Sequence, residues 1–326
     1  MQTATLTLHL PGVALSGEGG TLAAGRVAAL SFKEWQQHDG AFPYAEYQYS
    51  RSCPVFWIGP VTFDEAEEGA DMAAIAGMQA QIHDAFILDV AVPWLPSPAM
   101  STCYLVCPPP PEHSDVVLSS WRSIIGPLER EWIVFGSEIR ESFDAARLAA
   151  VQQRWEILEC AGPAAREGPA GAALATLECT ARPEYWWGTK HGASVIEFLQ
   201  CVATCESLLL GDDPGGTLTD TFSQHAAALT ARAPQDRAAL ANLWGRVYRL
   251  RTELVHGRRG LAELDSAQQA LLPQPRRLLR DIAEAALRLA DTRCRVTGSL
   301  PELLARASRS PAGHVALLQL LNHDGC

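Results

Sequence analysis

The chain has 326 residues, 48% of them hydrophobic, which is the composition of a globular protein long enough for two domains. A formal charge of −11 excludes holding nucleic acid by bulk attraction, so any polyanion requires a local basic patch. Nine cysteines, an odd and scattered set, include the pairs Cys103/Cys107 and Cys201/Cys205 at four-residue spacing, which is not a zinc-knuckle spacing; reduced thiols in a cytoplasmic protein are expected. The first residues, MQTATLTLHLPG, lack a basic start followed by an apolar run, and no stretch approaches a membrane span, so no membrane partner is expected.

Thr3–Leu10 alternates small polar and apolar residues and predicts a half-buried strand closed by Pro11-Gly12. Arg26–Phe32, Tyr44–Ser50 and Val55–Ile58 predict further strands between Gly, Pro and Asp-Gly punctuation. Phe63–Ala85 predicts a helix, rich in Ala, Gln and Met, with Asp64, Glu65, Glu67 and Glu68 at the end favoured by the helix dipole. Ile87–Leu95 and Cys103–Cys107 return to strand composition. Pro108–Pro111 is a connector, and Val116–Phe135 suits either a helix or a short strand. Residues 1–137 thus form an expected α+β domain that senses or positions something.

Residues 138–326 are expected to be all-α. Helices are predicted over Glu141–Cys160, Ser194–Leu210, Phe222–Ala231 with an Asp220/Thr221 cap, Arg276–Arg293, Leu300–Ala307 and His314–Asn322. Ala164–Ala173 reads as a loop, followed by helical Leu174–Ala181. Between them, Leu240, Leu243, Trp244, Val247, Leu250 and Leu254 recur at three- and four-residue steps, opened by Pro234-Gln-Asp and stopped at Gly257, a residue that accepts the left-handed conformation ending helices.

That helix carries Arg251 and His256 in its last turns. Metal-free RNA cleavage needs a base for the ribose 2′-hydroxyl and a cation for the phosphorane charge. Histidine suits the first role because imidazole exchanges protons near neutrality. Arginine suits the second because its forked guanidinium is permanently charged. Positions five apart diverge by about 140° on a helix, so the pair is expected to work across a two-fold axis. Arg246, Arg249, Arg258 and Arg259 surround the pair in an otherwise acidic chain and read as a phosphate-steering, RNA-binding patch. The same residues also suit an ordinary solvated helix end, with His256 favoured there by the dipole.

Two blocks carry a family resemblance: Cys205-Glu-Ser-Leu-Leu-Leu210 before a Gly/Asp loop, and Val247-Tyr-Arg-Leu-Arg251-Thr-Glu-Leu-Val-His256-Gly257. Together they resemble the Apea-like branch of the HEPN superfamily over about residues 190–295, with its arginine-to-histidine signature. Asn often follows that arginine, and Thr252 stands here. The resemblance implies an all-α HEPN-like bundle and a metal-independent, homodimeric endoribonuclease in antiviral defence or as a toxin, leaving 2′,3′-cyclic phosphate ends. It implies Arg251 and His256 as catalytic residues, supported by Thr252, Glu206 and Tyr248. RNA is the expected partner, with other defence-system subunits beside it; no cofactor and no metal is expected. An inactive HEPN module, serving as a dimerisation or nucleic-acid-binding scaffold, is the alternative.

Other groups are weaker candidates. Tyr185-Trp186-Trp187 suits base stacking or packing. His191 and His225 are isolated, Asp212-Asp213 lacks partners, and Gly17-Glu-Gly-Gly20 lacks the lysine of a phosphate loop.

Overall fold

The computed structural model describes residues 2–10, 13–29, 55–63, 70–89, 103–106, 122–124, 141–180, 190–211, 216–260, 263–291 and 298–322. The chain divides into two compact units, Met1–Glu156 and Ile157–Cys326. The expected elements at Tyr44–Ser50 and most of Val116–Phe135 lie outside the described residues, as do Tyr185-Trp186-Trp187 and Asp212-Asp213.

The first unit is α+β. Its strands are β1 (Gln2–His9), β2 (Val13–Leu15), β3 (Gly20–Leu22), β4 (Gly25–Ala29), β5 (Val55–Phe63), β6 (Cys103–Val106), β7 (Arg122–Ile124) and β8 (Glu141–Phe143). Helix α1 (Ala70–Asp89) and the opening of α2 (Ala145–Ala161) complete it. The main sheet runs β3-β4-β5-β1-β6-β7 with every pairing antiparallel, and β2 pairs parallel with β8. Pro60 sits beyond the last β4 partner of β5, where a strand tolerates a residue without an N–H. Trp57 on β5 is fully buried and donates its indole N–H to the Leu22 carbonyl at 2.6 Å. A side chain on Gly25 would meet that indole at 2.6 Å, so the glycine is required by close approach.

Two sequence expectations are corrected here. Ile87–Asp89 is the end of α1, not a strand: Ile82 to Leu88 are all buried, and an element buried on every side loses the helical periodicity that distinguishes it. Glu141–Phe143 is strand β8, and the helix starts only after Asp144, whose carboxylate accepts the Arg147 N–H at 2.8 Å. Asp89 then binds Arg147 at 2.9 Å and Arg154 at 3.1 Å, tying α1 to α2. Arg147 also lies over the Phe143 ring at 4.3 Å.

The second unit is helical throughout its described residues. After a 3₁₀ turn (Gly162–Arg166) come α3 (Gly168–Thr180), α4 (Lys190–Leu210), α5 (Leu218–Thr230), a 3₁₀ turn (Pro234–Asp236), α6 (Arg237–Val255), α7 (Ser266–Gln269), α8 (Gln274–Ala290), α9 (Leu300–Arg309) and α10 (Pro311–Asn322). The loop expected at Ala164–Ala173 is instead the 3₁₀ turn and the start of α3. Alanine favours helix, and Ala170, Ala173, Leu174 and Leu177 turn one face inward. Gly171 permits the tight join, since a Cβ there would lie 2.2 Å from the Arg166 carbonyl oxygen. Helix α5 also starts earlier than expected, with Thr217 rather than Asp220/Thr221 as its cap: the Thr217 hydroxyl accepts the Asp220 N–H at 3.2 Å.

The core of this unit is apolar side chains from α3, α4, α5, α6 and α8, among them Phe198, Val202, Leu209, Phe222, Val247, Leu278 and Ile282. Arg276 is set inside it, only 3% exposed. It donates to the Thr180 hydroxyl at 2.7 Å, to Glu197 at 3.3 Å and to the Leu177 carbonyl at 3.3 Å, joining α8 to α3 and α4. Burial pushes the Glu197 carboxyl above its ordinary range although Arg276 opposes the shift. Nearby, burial pushes the Cys201 thiol up to about 12 and Cys205 well above the ordinary thiol value, so both are inert packing residues. No described helix is long and apolar enough to cross a membrane.

Candidate active site at the end of helix α6

Helix α6 buries Trp244, Val247, Tyr248 and Leu250. It is anchored to α5 by the Trp244 indole N–H, which donates to the Thr230 hydroxyl at 3.1 Å, and by Phe222 and Tyr248, whose ring centroids lie 5.1 Å apart. A Cβ at Gly245 would stand 3.4 Å from Ser223 Oγ on α5, at van der Waals contact.

The helix stops by a Schellman motif. Arg258 N–H returns to the Glu253 carbonyl at 2.9 Å and Gly257 N–H to the Leu254 carbonyl at 3.2 Å, with Gly257 at φ +61°. His256 is the C-cap residue and is exposed. Its ring makes no hydrogen bond or ion pair among the described residues, so both nitrogens are open to an incoming group.

Arg251 lies three residues after Tyr248 and four after Val247, at the border of the buried face. Its guanidinium is 3.2 Å from Glu206 Oε2 on α4. Tyr248 donates its hydroxyl to the other carboxylate oxygen of Glu206 at 2.9 Å, and Arg251 sits over the Tyr248 ring at 5.8 Å. Burial, the hydrogen bond to Glu206 and its charge push the Tyr248 hydroxyl up to about 12, so it acts as a proton-holding donor and not as a base. One Glu206 carboxylate therefore holds both groups. The remaining guanidinium N–H groups of Arg251 have no protein partner among the described residues and can accept an anion.

Of the residues singled out in the sequence, the structure brings Glu206, Tyr248 and Arg251 together. No hydrogen bond joins His256 to them, and the two catalytic candidates lie about 140° apart around the helix. Thr252 donates its hydroxyl to the Tyr248 carbonyl at 3.0 Å, one turn back in its own helix, and its carbonyl accepts the His256 backbone N–H at 3.2 Å; its side chain bonds neither the Arg251 nor the His256 side chain.

The surrounding arginines separate into two kinds. The side chains of Arg246 and Arg258 are exposed and make no ion pair or hydrogen bond among the described residues, and that of Arg249, also exposed, donates only to the Gly245 carbonyl of its own helix at 3.1 Å. Arg259 is engaged in folding: it binds Glu253 at 2.8 Å and Gln268 at 3.2 Å, fastening the loop after α6 to α7. An exposed cationic surface of Arg246, Arg249 and Arg258, with His256 also exposed, is thus distinct from the held guanidinium of Arg251.

His225 is buried, with Nδ1 2.8 Å from the Leu209 carbonyl, and belongs to the packing of α5 on α4. The side chain of His191 lies outside the described residues. Among the described residues no cluster of His, Cys, Asp or Glu is arranged to hold a metal ion. The buried Arg276–Glu197 pair escaped the sequence reading, because an arginine near a helix start and a glutamate in an apolar helix each suit a solvated surface equally well. Comparisons with protein-family models, with curated proteins and with solved structures found no match to this chain.

Proposed function

We propose that the chain is a metal-independent endoribonuclease of the HEPN type, acting as a homodimer in antiviral defence or as a toxin. Its all-α HEPN-like bundle carries the active site, and its α+β unit senses or positions the trigger or substrate. His256 takes or gives the proton at the ribose 2′-hydroxyl and the leaving oxygen. Arg251 stabilises charge on the phosphorane, with Glu206 and Tyr248 fixing its guanidinium, and Arg246, Arg249 and Arg258 steer the backbone phosphates. The products carry 2′,3′-cyclic phosphate ends. One observation carries this reading: an exposed, unbonded histidine and an arginine with free donors occupy the last two turns of one helix, beside cations without partners, in a chain of net charge −11.

The second reading is an inactive HEPN scaffold for dimerisation or nucleic-acid binding. It is favoured by the divergence of Arg251 and His256 and by Thr252, whose hydroxyl is spent on its own helix.

Purified protein and its His256→Ala and Arg251→Ala variants, incubated with total RNA in excess EDTA, distinguish the two. The nuclease reading expects cleavage by the wild type and a loss of about a hundredfold or more in each variant. No cleavage by the wild type under any trigger, or equal cleavage by all three proteins, overturns it. The scaffold reading expects a dimer in light scattering with RNA retained but uncut.

A further inference from the structure

Helix α6 turns one narrow face to solvent. Asn242, Arg246, Arg249, Glu253 and His256 follow one another at steps of four, three, four and three residues, which keeps them within an arc of about 80° on a helix of about 3.6 residues per turn. All but Glu253 are exposed. His256 keeps to this line although it caps the helix, because its backbone N–H still returns to the Thr252 carbonyl at 3.2 Å. Glu253 is the one carboxylate on the line, and Arg259 neutralises it at 2.8 Å. The Arg246 side chain pairs with no described residue, and that of Arg249 spends only its Nε–H, on the Gly245 carbonyl at 3.1 Å. Arg258, two residues beyond His256, is exposed and likewise unpaired among the described residues. Arg251, held by Glu206 at 3.2 Å and about 140° from His256 around the helix, lies off the line.

We propose that this face of α6 is a single-file track for the backbone of single-stranded RNA, which leads one strand past His256 without reading its sequence. The track rests on the reading of this unit as RNA-binding and serves the nuclease and the scaffold alike. Arg246 and His256 are separated by about 15 Å of helix, which a stacked strand rising about 3.4 Å per nucleotide covers in about four to five nucleotides. Two arginines in line before the histidine and a third after it neutralise successive phosphates of one strand. A duplex sets its phosphates on two strands across a groove, and one line of charge engages only one of them. An unpaired strand also lets the 2′-hydroxyl turn into line with the oxygen it displaces, the orientation that cleavage beside His256 needs. None of the five side chains on the line is aromatic, so bases find no stacking platform there, and guanidinium contacts to phosphate carry no sequence information.

Fluorescence anisotropy of the full chain with end-labelled 2′-O-methyl oligonucleotides, which lack the attacking hydroxyl and so stay uncut, tests it. Affinity for oligouridylates of increasing length is expected to climb to about five nucleotides and then level off. Oligoadenylate of the same length should bind within about threefold, and a duplex of that length about tenfold or more weakly. The slope of log affinity against log salt should be about −2, at about 0.7 for each of the three arginines. It should shrink by about 1.4 in Arg246→Gln/Arg249→Gln, at exposed positions where glutamine keeps the helix. Equal or tighter binding of the duplex, an undiminished slope in the double variant, or no binding by the wild type overturns the proposal. Binding with the expected slope while native RNA stays uncut removes the nuclease reading and leaves the track standing. Cut RNA with an undiminished slope in the double variant does the reverse.

Discussion

The Arg251 guanidinium meets the Glu206 carboxylate at 3.2 Å across α6 and α4, and Tyr248 occupies the carboxylate's other oxygen. Arg251 is 25% exposed and Glu206 21%, so water screens the pair only in part. A double-mutant cycle of Arg251→Ala and Glu206→Ala in urea unfolding should give a coupling of roughly 0.5–1 kcal/mol. Tyr248→Phe should weaken that coupling, because one oxygen then loses its donor. A coupling indistinguishable from zero would remove Glu206 as the group that holds Arg251.

Arg276 and Glu197 form a pair of a different kind. Removing Arg276 leaves the Glu197 carboxylate, the Thr180 hydroxyl and the Leu177 carbonyl without their donor inside the core. Arg276→Ala should cost about 3–5 kcal/mol, measured by urea unfolding at neutral pH. Glu197→Gln should cost less, since burial already disfavours the charged carboxylate there. A raised carboxyl favours the native state below its unfolded value and ceases to do so as the pH rises through its folded value. The stability of Glu197→Gln relative to wild type should therefore improve as the pH is raised from about 4 to 7. A difference that moves the other way contradicts the buried placement.

Left-handed backbone supplies a matched pair of tests. Gly257 ends α6 at φ +61° with nothing within 4 Å of where a Cβ would lie, so Gly257→Ala isolates the backbone cost. It should destabilise by about 1–2 kcal/mol. Ala24 has the same conformation, φ +57°, at the exposed second position of the two-residue turn between β3 and β4, where glycine is preferred. Ala24→Gly should stabilise by roughly 1 kcal/mol after its greater unfolded-state entropy is counted. Thermal unfolding of the two variants should move in opposite directions.

Local signals in the chain located most of the helical unit. Helix α6 was legible because its apolar residues follow the helical period and Gly257 marks its stop, and α4, α8, α9 and α10 were legible for similar reasons. The run Ile82–Leu88 was misread in part because a helix buried on all sides carries no period. At the candidate site, Arg251, His256, Glu206 and Tyr248 were identifiable as residue types at telling spacings. Their partnerships were not, since a spacing along one helix says nothing about which carboxylate from another helix arrives beside it. Only packing of α4 against α6 decided that Glu206 holds Arg251 and Tyr248 while His256 stays in solvent. The same holds for Arg276, whose burial beside Glu197 and Thr180 arises where three helices converge. Hydrophobic period and turn chemistry are local properties and can be read along the chain. Desolvation and charge pairing depend on which distant segments meet, and they exist only once the chain has folded.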